Sequence, residues 1–510
     1  MNKRVLGALG AAVAAVLLLS GCAGGGADAS ASTHDKTLRL ATMTVPQSLD
    51  PKDATGSALP FFQAVYDTLV LRTPDGDYKP MLATEWSYND DQTVLSMTLR
   101  TGVTFDDGTP FDAKAAKANL ERFRDSGGPD AANLAGITVD AVDDTHLTLT
   151  LQQPNPGLLF YLSDSAGLMA NPSDFGQKDA LVTTPDGTGP YVLDKDKTAI
   201  GTTWVYDARK DYWGDAPDFS TVTMQVFDNE NAVVNGLKTG QIDSALLQTA
   251  DQQPAAEQDK DLAFQDVPFD FQGILLFDRG GALTPALAKP EVRQALNYAL
   301  DRETLLKVVR DGRGQVTSQV WGVDSQGYEK SLDDYYTYDP EKAKQLLADA
   351  GYPNGFELTL PRLTSIVTDN IASALQTDFA KVGVKLTWAD VDSASALKQI
   401  FVEKKFSGMV MNMGQSSNDW IVYSTLIAPG TFNFFGTMDD EVTQLATQAR
   451  SLPEDQTAEL YQKMNERIVE QAWFVPFYRM TYKLVTVPGV TAVPQAGMAV
   501  PSIYNYSLSK

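Results

Sequence analysis

Side-chain catalysis needs a nucleophile or a proton-transfer group held by partners, and this chain is poor in the residues that usually supply them. Its 510 residues include two histidines, His34 and His146, and one cysteine, Cys22. His34 falls in a stretch of small residues and His146 on a strand of a predicted hairpin. Neither has a nucleophile or carboxylate partner identifiable from the sequence. Gly-x-Ser-x-Gly, His-Glu-x-x-His and Cys–His patterns are absent from the sequence. Carboxylates are plentiful, 65 Asp and Glu, but a hydrolytic pair is defined by distance in space, which spacing along the chain does not reveal. Asp106-Asp107-Gly108 lacks the further ligands of a calcium loop and reads as a tight turn. Gly187-Thr188-Gly189 lacks the lysine and the strand-to-helix setting of a phosphate loop. These residues favour binding over catalysis, with no enzyme activity, metal or cofactor expected.

The N-terminus says where such binding would take place. Lys3 and Arg4 precede an apolar run from Val5 to Leu19, the layout of a secretory signal, and the run is short for a bilayer span. Leu19-Ser20-Gly21-Cys22 at its end resembles the lipobox of bacterial lipoproteins. That resemblance implies cleavage before Cys22 and acylation of its sulfur; the alternative is an ordinary signal peptide followed by a free thiol. A lone thiol is a reactive liability outside the cell, whereas several acyl chains make a stable anchor. Residues 22–36 then read as a lipidated, Gly- and Ser-rich flexible linker. With 65 acids against 41 basic residues, the formal charge of −24 disfavours nucleic acid and anionic membrane surfaces as direct partners. It fits either a cationic ligand or a solubilising surface.

The remaining chain is long for one core, and its 43% apolar and 9% aromatic content is that of a folded protein. Leu38 to Thr42 alternates as a strand, and 58–71 reads as a helix. Asp112, Asp301 and Asp339-Pro340 are placed to start helices. Residues 137–151 form a predicted hairpin. From 356 to 411 the pattern alternates β-α-β-α-β, the mark of an α/β domain. Helices are expected over 439–450 and 454–471, and a strand over 474–478.

Seven landmarks in order, Tyr66 to Val70, Leu82 to Trp86, Leu99 to Phe111, Gly187 to Tyr191, Tyr212 to Gly214, Val292 to Arg302 and Tyr338 to Tyr352, carry a family resemblance. The chain resembles the dipeptide, oligopeptide and nickel-binding solute-binding proteins of ABC transporters, extracellular solute-binding protein family 5. That resemblance implies an α/β fold of the periplasmic-binding-protein type II, two lobes joined by a hinge, with an extra family-specific domain. Lobe I would comprise 37–52, 185–268 and 480–510, the added domain 53–184, and lobe II 269–479, behind a signal peptide at 1–21. The implied function is a monomeric, membrane-anchored receptor that closes on a short peptide or related solute and delivers it to a permease and ATPase. Alternatives are a metal chelate, haem, glycoside or opine-like ligand, or, in a different class, a lipoprotein hydrolase or sensor.

In peptide-binding members the region matching Gly414 to Tyr423 carries acids, one of which holds the ligand ammonium. Asp419 is the matching acid here, and a carboxylate in a closed cleft can make a charge-assisted bond to an amine. Capping of the next helix is the competing role. Trp420 stands where members have proline, and one acid where they have two. Trp420, Tyr423, Phe432, Phe434 and Phe435 could line side-chain pockets or pack in the core. Arg362 could meet a ligand carboxylate or lie on the surface. Tyr191 and Trp213 read as packing residues.

Overall fold

A computed structural model describes residues 37–177 and 180–509; Cys22, His34, the leader and the linker lie outside them. Alternating residues make Thr37–Thr42 a strand that buries Leu38 and Leu40. It pairs in parallel with Thr221–Val226 and with Ser244–Leu247, in the middle of a nine-stranded mixed sheet. On one side the sheet continues through Thr203–Ala208 to Tyr191–Leu193. On the other it passes through Phe474–Thr486 and Ala263–Leu276 to Gly408–Gly414.

Phe474–Thr486 and Ala263–Leu276 are the two longest strands, of 13 and 14 residues. They run antiparallel along almost their whole length, with irregularities at Pro268/Asp270 and Gln272/Gly273. Val485 and Phe264 near one end pack with Val233, Leu237 and Leu247 of the first half, Val267, Tyr482 and Leu484 join the second-half core, and the Phe271–Leu276 and Phe474–Tyr478 ends also pack with the second half. The strand 474–478 read from the sequence is thus the start of one more than twice as long.

Four larger cores lie around this sheet. Leu38, Phe61, Tyr66, Trp204 and Val222 share one, and Val490 and Ile503 of the tail pack into it. A second is enclosed by the four-stranded antiparallel sheet Ala83–Tyr88, Val94–Leu99, His146–Thr150 and Thr138–Ala141 and by helix Ala113–Asp125. Asp112 caps that helix by accepting from the Ala115 amide at 2.8 Å. Helices Pro290–Ala299, Arg302–Arg310, Pro340–Asp349 and Asp369–Lys381 surround a third core, with Asp301 and Asp339 as caps where expected. The fourth gathers Phe271, Trp321, Trp420, Ile468 and Trp473.

Two expectations change. The helix read over 58–71 is only Leu59–Gln63, because the Ala64 and Val65 carbonyls accept from the Tyr191 and Gly189 amides at 2.9 and 2.7 Å. A side chain at Gly189 would overlap Val65, so the close approach requires glycine. In the β-α-β-α-β region, Glu357–Arg362 and Lys385–Asp390 pair in parallel, but Gly408–Gly414 leaves them to pair with Ala263–Leu276. Periodicity gives the strand; the edge it joins depends on the rest of the sheet.

Candidate ligand cleft

Strand Gly408–Gly414 delivers the stretch that contains Asp419. The cap of the following helix is Asn418, whose Oδ1 accepts from the Ile421 amide at 3.2 Å, so capping is not the role of Asp419. Asp419 is 2% exposed. Its Oδ1 accepts from the Gly327 amide at 2.8 Å and its Oδ2 from the Gln326 amide at 3.1 Å. Burial pushes its carboxyl up to about 6 against the pull of those amides. Both oxygens are thus engaged in holding the 326–327 turn. Glu454, joined to Asn418 Nδ2 at 3.2 Å, is pushed up to about 7 by burial and then by the nearby charges of Asp419 and Asp77.

Trp420 and Tyr423, with ring centroids 5.1 Å apart, line a cavity of about 400 Å³. Phe434 packs against Phe277 at 4.8 Å and Phe435 at 5.0 Å, in a ring cluster with Phe401 and Phe432. Arg362 is ion-paired with Asp369 and donates to the Val367 carbonyl at 3.4 Å. The structure therefore brings Trp420 and Tyr423 to a cavity and sets Asp419 beside them with its oxygens occupied. It places Phe434 in an aromatic cluster and Arg362 in a surface ion pair.

The cavity of Trp420 and Tyr423 is one chamber of a longer cleft. Its opposite wall is Asn133, Gln152 and Asn155, and the Arg450 guanidinium lies 5.0 Å over the Trp420 ring. Arg450 Nε also crosses the seam to donate to the Pro154 carbonyl at 2.9 Å. Asn133 and Tyr161 also line a central chamber of about 380 Å³. There Asp130, Phe160 and Asp164 face Phe269, Ile421 and Thr425, and Gly497 to Val500 of the tail close one end. Ala499 and Val500 in turn bound an apolar recess of about 180 Å³ at the end of strand Thr37–Thr42. The two walls touch: Gly497 has φ +65°, and a Cβ there would fall on the Ser417 backbone.

Charge in the cleft is uneven. Asp164 accepts from Arg72 Nη2 at 3.1 Å and from the Ser165 amide at 2.7 Å. Asp130 accepts from Ser165 Oγ at 3.1 Å, and burial raises its carboxyl above the usual range. Sequence reasoning missed Asp130, Asp164, Arg450 and the tail. No spacing rule joins 130 to 421 or 497.

The landmarks that were found have a structural explanation. Asp67 is fully buried and accepts from Trp213 Nε1 at 2.7 Å, Tyr504 Oη at 2.8 Å and Tyr212 Oη at 3.0 Å. Burial raises it to about 6. Tyr191 packs in the adjoining core, as its reading predicts, whereas Trp213 also donates a hydrogen bond. His146 is exposed on its hairpin and pairs with Asp143 at 2.8 Å. Among the described residues no group of three or more His, Cys, Asp or Glu is placed to hold a metal, and no helix is long and apolar enough to cross a membrane.

Residues 77–433 match the family described as bacterial extracellular solute-binding proteins, family 5. The glutathione-binding protein GsiB of Escherichia coli (strain K12) is 28% identical over 486 residues, covering 89% of this chain and 91% of GsiB. Among solved structures, DppA from Helicobacter pylori in complex with the peptide STSA superposes with a TM-score of 0.75 at 22% identity, over 93% of this chain and 98% of that one. AgaA from A. tumefaciens R10 in complex with agropinic acid gives 0.74 at 25% identity, over 93% and 99%.

Proposed function

Because this chain belongs to the bacterial extracellular solute-binding proteins of family 5, a family of ABC-importer receptors, we propose that it captures short peptides and hands them to a permease driven by an ATPase. The observation that carries the peptide reading is the chambered cleft itself. Its central 380 Å³ lies between two walls of the molecule and continues at both ends into further space, which suits an extended ligand. The glutathione bound by GsiB and the peptide in DppA belong to the same ligand chemistry.

In this reading lobe I is 37–52, 185–268 and 480–510, with 53–184 appended and sharing its core through 54–66 and 168–181. Lobe II is 269–479, and the paired strands Ala263–Leu276 and Phe474–Thr486 form the hinge. Their register irregularities are supporting evidence, since a bulge is where a sheet bends at least cost. Closure about these strands would bury the ligand and present a shape that a permease distinguishes. The protein works outside the cytoplasm as a monomer without enzymatic activity, held to the membrane by lipid on Cys22.

A non-peptide solute of opine type is the second reading, favoured by the similarity to AgaA in complex with agropinic acid. Calorimetric titration of the chain after Cys22 with pools of di- to octapeptides separates the two. Saturable binding is expected. No heat with any pool, in protein shown by mass spectrometry to be ligand-free, overturns the peptide reading in favour of the second.

A further inference from the structure

The central and outer chambers share Asn133 and Tyr161 as a common wall, yet their polar groups are of different kinds. Asp130 and Asp164 give the central chamber its charge. Among the described residues the outer chamber, of about 400 Å³, has no acid on its walls and four carboxamides instead, Asn133, Gln152, Gln153 and Asn155. Resting on the peptide reading above, we infer that the outer chamber takes a neutral, hydroxyl-rich group, a sugar or polyol carried on the captured peptide.

The protein itself leaves these carboxamides almost unused. Among the described residues none of their nitrogens donates a hydrogen bond, and their oxygens accept one, from the Gly157 amide to Asn155 Oδ1 at 3.1 Å. Tyr423 lines the same chamber, and its hydroxyl likewise has no hydrogen-bond partner among the described residues. A carboxamide offers a donor and an acceptor side by side, and a hydroxyl offers both on one atom, so the two match in either orientation. A carboxylate only accepts and an ammonium only donates, so each leaves half of every carboxamide idle. An apolar group displaces the water on all of them without replacing its bonds. The Tyr161 ring adds apolar area for the C–H side of a sugar. Arg450, the charged lining residue, is already engaged: its Nε donates to the Pro154 carbonyl at 2.9 Å and its guanidinium lies 5.0 Å over the Trp420 ring. Its other N–H groups can donate to a hydroxyl as readily as to any oxygen.

The backbone presents these groups in fixed positions. Asn133 lies in the turn Ala131–Leu134, where its amide donates to the Asp130 carbonyl at 2.9 Å. Gln152, Gln153 and Asn155 follow strand His146–Thr150, held by the Leu151 amide on the Thr93 carbonyl at 2.8 Å and the Leu158 amide on the Asn155 carbonyl at 3.0 Å. Gln152 and Gln153 are exposed while Asn133 and Asn155 are half-buried, so the chamber opens to solvent and admits a bulky appendage. The shared wall at Asn133 and Tyr161 lets that appendage stay joined to a peptide in the central chamber.

The test offers the chain after Cys22 an equimolar pool of alanine tripeptides in which each position in turn carries glucosylated serine, aspartate, lysine or leucine. The disaccharide maltose is offered separately. Captured species are identified by mass spectrometry and titrated singly. At one position the glucosylated peptide is expected to bind roughly ten- to a hundredfold tighter than its aspartate, lysine and leucine counterparts. The double variant Gln152→Ala/Gln153→Ala, at two exposed positions that the fold tolerates, should narrow that gap several-fold. Aspartate, lysine or leucine peptides that bind as tightly as the glucosylated ones, or a gap that the double variant leaves unchanged, overturn this inference and leave the peptide reading standing. Binding of maltose with no peptide captured overturns the peptide reading while upholding the sugar assignment. Capture of nothing overturns both.

Discussion

Asp419 and Asp130 stand near the same seam on opposite walls. Both oxygens of Asp419 are bound by backbone amides at 2.8 and 3.1 Å, whereas Asp130 is held by one hydroxyl at 3.1 Å. The first acid secures a turn contributed by residues 326–327 and is sealed from solvent; the second lines an open chamber. The comparison separates two uses of a carboxylate. An acid buried on two backbone amides holds the fold together, and an acid on a chamber wall with one hydroxyl partner contributes charge to that wall. Asp67, with three side-chain donors, is a further case of the first kind.

Asp419→Ala breaks the comparison most severely. It leaves the part-buried Gln326 and buried Gly327 amides without their acceptor, at about 1–3 kcal/mol each, so chemical denaturation should show a loss of roughly 2–6 kcal/mol. Asp130→Ala should change stability by no more than about 1 kcal/mol. A destabilisation by Asp130→Ala equal to that of Asp419→Ala would end the distinction. The pH dependence carries a sign as well. Burial raises the Asp419 carboxyl to about 6, above its unfolded value, so the folded state holds this proton more strongly. Its contribution to stability is greatest below about pH 4, declines as pH rises towards 6 and is level above. Asp419→Asn should flatten that decline.

Gly497→Ala tests whether the walls must meet for binding. The φ of +65° strains any side chain, and the added methyl falls on the Ser417 backbone, so closure is obstructed. Peptide affinity should fall about tenfold, and small-angle scattering should show less compaction on adding ligand than in the wild type. Unchanged affinity would mean that this contact is not part of the bound state. The smallest effect is expected at Arg362→Ala. Its exposed pairing with Asp369 should be worth less than about 1 kcal/mol, and peptide titration should be unaltered. A loss of affinity there would restore Arg362 as a ligand partner.

Much of the fold can be read from local chemistry. Asp112, Asp301 and Asp339 cap the helices that their spacing predicts, because a cap is a contact over three residues. The landmark Tyr212-Trp213 was recognisable for a similar reason. It serves a buried knot at Asp67 that few other side chains could satisfy, although the partners lie 145 and 146 residues away. The site was harder. The aromatic run from Trp420 to Phe435 has one composition, yet Trp420 and Tyr423 line a cavity while Phe434 stacks on Phe277. Period and residue type are the same for both outcomes.

The sequence by itself determined the caps, the strand alternation, the lack of catalytic patterns and the family. Each depends on neighbours in the chain or on residue types in order. Tertiary structure alone decided which donors each of these acids receives. Asp419 accepts from the Gly327 amide, 92 residues away, and among the described residues Ser165, 35 residues away, is the hydrogen-bond donor to the Asp130 side chain. A carboxylate's availability is set by the donors that folding brings within about 3 Å, and no spacing along the chain records their arrival.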